Sequence, residues 1–463
     1  MTHRSAVVRD QVDPAEIPAA VVDICQTLSR KGHGAWIVGG CVRDHLLGRP
    51  VNDWDICTTA LPEALLKLFP KAVPTGIEHG TITVVREGRH YEVTTLRGET
   101  TYSDGRRPDA VFFIDDVTDD LARRDFTVNA IAYDPLRNVL VDPFKGRDDL
   151  HAKVVRAVGD PLQRFGEDGL RILRGARFTA TLEFTLDPAT ERAMEHCIPV
   201  FRKVSAERVR DEWVKTMKAR HPSQAFEVMR RRGVLAVVCP ELLDAVDCMQ
   251  DPSLHAWDVW NHSLHALDVA PKDPVLRVAA LLHDIAKPRT RTVDANTGTV
   301  TFPNHDRVGA EMADAWLKTW RFSNEERARI VHVIRHHLED PTTDPHHPDV
   351  RRSLQRVTPE ALGDFFALRR ADIQATGVRV EERLARLHQQ EVNARVVIER
   401  KDPLRVRDLA VNGSTLMTEL GMKPSKQLGV LLEALLERVI EDPALNTRDR
   451  LLDIARSTLR SRE

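Results

Sequence analysis

Two hydrophobic rhythms run along this chain. Between residues 34 and 145 the apolar positions fall in short β-type runs, "AWIVGG", "NDWDICT", "GTITVVREGRHYEVTTLR", "NAIAYD" and "VLVDPF", with helical pieces between them. Runs of this length and alternation predict strands of a small mixed α/β domain. From about Val154 the period changes. "LQRFGEDGLRILRGARFTATLEF" and "SAERVRDEWVKTMKARHPSQAFEVMRRRGVLAVV" space their apolar residues as helices with one buried stripe do, and no strands are expected there. Turn-rich stretches near Asp251, from Asp294 to Pro303 and from Asp340 to Pro348 divide the helical remainder, and "ERKDPLRVRDLAVNGS" reads as a linker into a small closing unit. The expected fold class is α+β, a small sheet-bearing head followed by mostly helical parts.

A chain of 463 residues exceeds one ordinary core, so two to four domains are expected. Hydrophobic residues at 42% and charged residues at 29% describe a soluble globular protein. Apolar runs such as "VAALLH" are far too short to cross a bilayer, and "MTHRSAVVRDQVDPAEIP" has no apolar core of the kind a secretory signal requires; a cytoplasmic protein is expected. The six cysteines, at 25, 41, 57, 197, 239 and 248, form no C-x-x-C pair and suit reduced thiols. Net charge is 67 − 69 = −2, so a nucleic-acid partner would have to be held by local basic patches.

The candidate chemistry starts in "WIVGGCVRDHLLGRPVNDWDICTT". Gly39 and Gly40 run into a short helix whose free N–H groups and positive dipole end bind anions, and Arg43, one turn in, could add a charge-assisted contact to the same phosphate. Two glycines before a helix are by themselves more often a tight turn. Asp53 and Asp55, two apart in a strand, project from one face while Trp54 packs on the other. Carboxylates that close repel unless a cation neutralises them, and a Mg²⁺ pair binding triphosphate oxygens and an attacking hydroxyl is the natural candidate. A D-x-D alone would read as a solvated strand end; directly after G-G-x-x-R-D the odds reverse.

Together these residues resemble the first motif of the class II tRNA nucleotidyltransferases and bacterial poly(A) polymerases, within the polymerase β-like nucleotidyltransferase superfamily. Further motifs follow in the family's order. "YSDGRRPDAVFF" is similar to its flexible loop, and "DLARRDFTVNAIAYD" to its R-R-D motif, which implies that Arg123, Arg124 and Asp125 contact ribose and triphosphate. Asp44, Asn129 and Arg174 belong to the same implied nucleotide site, and Glu92 in "HYEVTTLR" is the remaining carboxylate expected near the metals. "GEDGLRILRGARF" resembles the family's E-D-x-x-R element. On a helix Asp168 and Arg171 would share one face at i and i+3, an ordinary ion pair in isolation. In this context the carboxylate would accept from the exocyclic amine of cytosine or adenine while the guanidinium donates to the neighbouring ring acceptors, rejecting guanine and uracil.

A second constellation lies between Asp251 and Thr376, in "WNHSLHAL", "LLHDIAKPRT", "NHDRVGAE", "IRHHLED" and "RRADIQAT". Histidines and carboxylates dispersed over helices suit a site for one or two divalent metals. His262, His283, Asp284 and Asp372 resemble the H…HD…D signature of the HD phosphohydrolase superfamily, with His305, His336 and also His337 as further ligands of a dinuclear site. His265, His332, His346 and His347 read as surface or packing residues.

The resemblance covers roughly residues 34 to 457. It implies a nucleotidyltransferase head over 1–150, a helical neck and RNA-binding body over 151–250, an HD domain over 251–385, and a helical C-terminal body and tail over 386–463. The implied activity is template-independent addition of CCA to the 3′ end of tRNA from CTP and ATP, with Mg²⁺ in the head and a divalent metal in the HD domain. Basic helices such as "FRKVSAERVRDEWVKTMKARH" would follow the tRNA backbone. An A-only or CC-only enzyme and a poly(A) polymerase share the same head; an HD phosphohydrolase with a degenerate RNA-binding head is the alternative from another class.

Overall fold

The computed structural model describes residues 8–77, 80–99 and 111–460, so the loop residues Tyr102 to Asp109 lie outside the described residues. The chain forms two compact units, Met1–Val238 and Cys239–Glu463.

The first unit opens with α1 (Ala19–Ser29), β1 (Ala35–Val38), α2 (Gly40–Leu46), β2 (Ile56–Thr58), α3 (Pro62–Leu68), β3 (Ala72–Gly76), β4 (Thr81–Arg86) and β5 (Arg89–Thr95). A hairpin of β6 (Arg97–Glu99) and β7 (Val111–Phe113), α4 (Val117–Ala122), β8 (Ala132–Asp134), β9 (Val139–Val141) and α5 (Gly146–Ala152) complete the head. One seven-stranded sheet runs β3-β4-β5-β2-β1-β8-β9. Its neighbours are antiparallel except β2 and β5, which pair in parallel with Ile56 opposite Val93. Alternation makes β5 what it is: Tyr91, Val93 and Thr95 are buried, while His90 and Glu92 are exposed. The "NDWDICT" run becomes a strand only at Ile56, but its in-out alternation starts earlier, with Trp54 buried between the exposed Asp53 and Asp55.

β10 (Val154–Val155) leads into α6 (Pro161–Glu167) and α7 (Leu170–Leu182), then β11 (Thr185–Leu186), α8 (Pro188–His196), α9 (Ile198–Phe201), α10 (Ala206–Thr216), α11 (Ser223–Arg231) and α12 (Leu235–Val238). Asp160 caps α6 and Asp187 caps α8, each followed by the proline that a first helical turn tolerates. The expectation of no strands beyond Val154 is corrected. β10 and β11 pair in parallel because the chain leaving α7 returns beside β10, where Thr185 N–H donates to the Lys153 carbonyl at 2.9 Å and Asp187 N–H to that of Val155 at 3.0 Å. Between α6 and α7, Gly169 lies against the backbone of Phe201. A Cβ there would come within 2.6 Å of the Phe201 Cα, so only glycine fits the elbow.

The second unit contains α13 (Val259–Val269), α14 (Pro274–Leu282), α15 (Lys287–Thr290), the small hairpin β12 (Thr292–Val293) and β13 (Val300–Thr301), α16 (His305–Thr319), α17 (Asn324–His336), α18 (Pro348–Val357), α19 (Leu362–Ala375) and α20 (Val380–Glu399). The hairpin is a second departure from an all-helical reading: Asp294 accepts from the N–H groups of Asn296 and Thr297 and closes its turn. Ser323 and Glu326 form a capping box at the start of α17. Helices α13, α14, α17 and α19 pack on one another. Last come α21 (Gly413–Leu420), α22 (Lys426–Glu441) and α23 (Arg448–Arg460), around a core including Leu416, Leu435, Val439 and Leu451. The buried Arg351 of α18 donates from Nε to the Ile440 carbonyl at 2.6 Å and from Nη2 to that of Glu441 at 3.2 Å, capping the end of α22. Among the described residues no helix is long and apolar enough to cross a membrane.

Candidate active site and metal cluster

The head site assembles around the β1–α2 turn. Gly39 has φ +80°, a left-handed conformation that glycine adopts without strain, and a Cβ on it would lie 2.5 Å from Nη1 of Arg124. The turn therefore needs glycine both for its conformation and for the close approach of a guanidinium. Gly40 begins α2. Arg43 forks onto Asp44, with Nε at 2.9 Å and Nη2 at 2.8 Å from its two oxygens, and its Nη1 donates to Asn129 Oδ1 at 2.5 Å. Asn129 in turn donates to Asp125 at 3.0 Å, and Arg174 donates to the same carboxylate at 2.7 Å from Nε. Burial would raise the pKa of Asp125, but Arg174, Asn129 and Arg171 hold it well below the usual carboxylate range. Arg123 and Arg124 both reach the buried Asp120, at 2.8 and 3.5 Å.

Asp53, Asp55 and Glu92 meet at the edge of this cluster. The register that sets Ile56 opposite Val93 puts Asp55, just before β2, beside Glu92 of β5. The Asp55 carboxyl is held above its ordinary range, first by desolvation among its neighbours and then by repulsion from Glu92, with Arg124 opposing and Asp53 adding. Its residue surface is nonetheless exposed, so its oxygens are crowded by like charge while remaining reachable.

Asp168 and Arg171 do not share a helix face as expected. α6 ends at Glu167, and Asp168 is an extended residue at the elbow before α7. Its carboxylate is held in a fork by Arg208 of α10, at 3.1 Å from Nη1 and 2.7 Å from Nη2. Arg171 instead donates to Glu167 at 2.7 Å and to the carbonyls of Arg164 and Arg123, both at 2.9 Å. The pair is thus divided by the Gly169 elbow, and each member is oriented by a different partner.

In the second unit, His262, His283, Asp284 and Asp372 come together from α13, the end of α14 and α19, all buried. His262 Nε2 lies 3.4 Å from Asp284 and 3.2 Å from Asp372, and His283 Nε2 lies 3.2 Å from Asp284. His305 and His337 approach the other oxygen of Asp284 at 3.3 and 3.8 Å. Ligand atoms of His262, His283 and Asp284, and of Asp284, His305 and His337, form two groups that could each hold a metal ion. His336, named above as a ligand, is corrected. It is the last residue of α17, half-buried, with its ring 4.8 Å from that of His332; the helix ends there, and the following residue, His337, turns inward. Against its burial, His283 is drawn up to about 10 by Asp284 and Asp372, whereas burial and the charge of His283 push His337 down to about 3. Both Asp284 oxygens and His305 Nε2 are buried without a hydrogen-bond partner, although the Lys287 ammonium stands 2.7 Å from Asp284. Buried imidazoles and an under-satisfied carboxylate are the donor set a divalent transition metal takes.

Several members escaped the sequence reading. Asp120 and Lys287 sit three or four residues from their partners, a helical spacing that could have flagged them. Arg208 lies 40 residues from Asp168, and His255, whose ring stands 5.0 Å from that of His262, carries no local signal.

Comparison with known proteins agrees with this geometry. Residues 35–156 match the family model described as the poly A polymerase head domain, 183–246 the probable RNA and SrmB-binding site of polymerase A, and 254–386 the HD domain. The chain is 31% identical over 439 residues to a CCA-adding enzyme of Lactobacillus delbrueckii subsp. bulgaricus, covering 94% of this chain and 96% of that one. A shorter stretch of 205 residues is 49% identical to the CCA-adding enzyme of Lactobacillus helveticus, 44% of this chain and 51% of that one. Among solved structures, the Bacillus stearothermophilus CCA-adding enzyme in complex with CTP superposes with a TM-score of 0.71 at 26% identity, covering 96% of this chain and 98% of the other. A likeness that covers nearly the full length of both chains relates whole proteins rather than one shared module, and the protein belongs to the family of CCA-adding enzymes.

Proposed function

We propose that this chain adds C, C and A to the 3′ end of tRNA from CTP and ATP without a nucleic-acid template. The observation that carries the reading is the meeting of Asp53, Asp55 and Glu92 beside the Gly39 turn and its arginines. Carboxylates that crowd one another are a hard-oxygen donor set suited to Mg²⁺, with Asp53 and Asp55 as its holders. Mg²⁺ bound there would neutralise triphosphate charge and favour the deprotonated 3′ hydroxyl of the RNA. The chain's own part is positioning. Free N–H groups at the start of α2, with Arg43 and Arg124, hold phosphate; Asp125, Asn129 and Arg174 hold the ribose side; Asp168 and Arg171 read the base edge. Free thiols suit action in a reducing cytoplasm.

The test is incubation with tRNA ending at the discriminator base, at C or at CC, with CTP alone, ATP alone or both. CTP alone is expected to add two residues, ATP alone to extend only the CC end, and both together to rebuild CCA. Extension by A only, arrest at CC, or runs of A would each replace the reading with the corresponding rival.

A second activity is supported by the under-satisfied Asp284 carboxylate in the HD cluster: hydrolysis of a phosphate ester, such as a 2′,3′-cyclic or terminal phosphate of damaged RNA, with His262, His283, Asp284, Asp372, His305 and His337 holding one or two divalent metals. Combining His283→Ala with Asp284→Ala is expected to remove the HD cluster's metal and the phosphohydrolase activity while leaving nucleotide addition. Retention of both metal and hydrolysis would refute the ligand set.

A further inference from the structure

One buried ring of α7 is surrounded by cations, one from α2 in the head and two from α7 itself. Phe178 of α7 is 4% exposed, and three guanidinium carbons stand over it: Arg177 at 4.0 Å from the centroid, Arg43 at 5.3 Å and Arg174 at 5.5 Å. Phe126 meets the same ring edge to face, at 5.6 Å and 84°. Each guanidinium also has a polar partner, Asp44 and Asn129 for Arg43, Asp125 for Arg174 and Glu212 for Arg177. Like charges gathered around one ring repel, and an aromatic face attracts each of them without competing for the N–H donors. Leucine would fill similar space but offer no such field.

We propose that Phe178 is a positioning residue for nucleotide binding: its π face fixes the guanidiniums of Arg43 and Arg174 and so links the α2 phosphate turn to the neck helix. This rests on the reading that Arg43 and Arg174 contact the nucleotide. The ring touches neither substrate nor metal in that reading. It acts by fixing where the two guanidiniums fork, Arg43 on Asp44 and Arg174 on Asp125, so that the N–H groups not used on those carboxylates stay aimed at the triphosphate and ribose. The cost of ordering two long side chains is then met in the free protein rather than on binding.

The discriminating experiment replaces Phe178 with phenylalanine carrying one, two and three ring fluorines, which withdraw the π field while nearly preserving shape. KM for CTP and ATP is expected to rise stepwise with fluorine number, on the order of tenfold by the third, with kcat and the unfolding midpoint little changed. The same series at Phe226, a buried ring set against Trp213 at 4.8 Å, is expected to leave KM alone. Phe178→Tyr, which keeps the face, should bind nucleotide better than Phe178→Leu, which does not. A KM independent of fluorination in a folded protein overturns the proposal. Arg174→Ala tests the underlying reading separately: if it leaves nucleotide addition intact, the site assignment fails, whereas its loss alongside a flat fluorine series removes only the role of Phe178.

Discussion

Asp55 faces two like charges, Asp53 two residues before it and Glu92 on the next strand, and their repulsion joins desolvation in holding its carboxyl high. Such a set gains stability from a divalent cation and loses its purpose without one carboxylate. Asp53→Ala or Asp55→Ala is expected to lower nucleotide addition by 10²-fold or more, by the order of magnitude that removal of transition-state charge stabilisation costs. Binding of tRNA should be unchanged, which single-turnover addition and filter binding check together. Near-normal turnover would take the pair out of the mechanism. With Asp168 reading the base edge as proposed, Asp168→Ala is expected to let UTP and GTP compete with CTP and ATP, because the group that would repel a carbonyl oxygen is gone. Arg208→Ala leaves that carboxylate in place but unforked, and a smaller loss of selectivity is expected from the same competition assay.

Among the elements, the β1–α2 turn is the most constrained. Gly39→Ala would put a side chain at φ +80° and into Arg124, an expected cost of about 1–2 kcal/mol from the left-handed backbone alone. Thermal unfolding reads that cost, and, with Arg124 on the phosphate as proposed, a rise in KM for CTP reads its displacement; no change in either would show that the turn relaxes freely. This turn was legible in the sequence because two glycines, an arginine and a D-x-D lie within 17 residues, counting from Gly39 to Asp55 as 55 − 39 + 1 = 17. Strands β4 and β5 were legible from their alternation. The Asp168 elbow was not: a helical period continues across it, and the feature that marks it in the structure, the backbone of Phe201 lying where a side chain on Gly169 would go, comes from a residue far downstream. His336 and His337 show the same limit, since adjacent residues at a helix end differ in direction by an angle that periodicity does not fix. The two-residue strands escaped because they follow from where the chain passes, not from what it is made of.

Across the whole molecule, buried carboxylates in the first unit set its acid limit. Burial alone would raise Asp120, Asp125 and Glu212, but the guanidiniums of Arg123, Arg174 and Arg177 outweigh it and hold all three below their ordinary values. Each therefore stays ionised when folded at a pH where the unfolded chain would take up a proton. Their stabilisation is complete above the ordinary values of 3.8 for aspartate and 4.5 for glutamate, and it is lost as pH falls below them. Unfolding midpoints are expected to hold down to about pH 5 and then to drop steeply; Glu212→Gln should flatten that drop while lowering stability at neutral pH by about 3–5 kcal/mol, the usual cost of stranding a buried partner. A profile level to pH 3 would show that these contacts add nothing net. In the second unit the buried Arg351 caps α22 from α18, across the segment that joins α20 to α21. Arg407 within that segment is exposed, so a trypsin cut there would sever the covalent route to the last three helices while leaving the cap and its hydrogen bonds in place. The nicked protein should then migrate as one species under native conditions and as two bands only in denaturant, and Arg351→Ala should let the smaller fragment wash away.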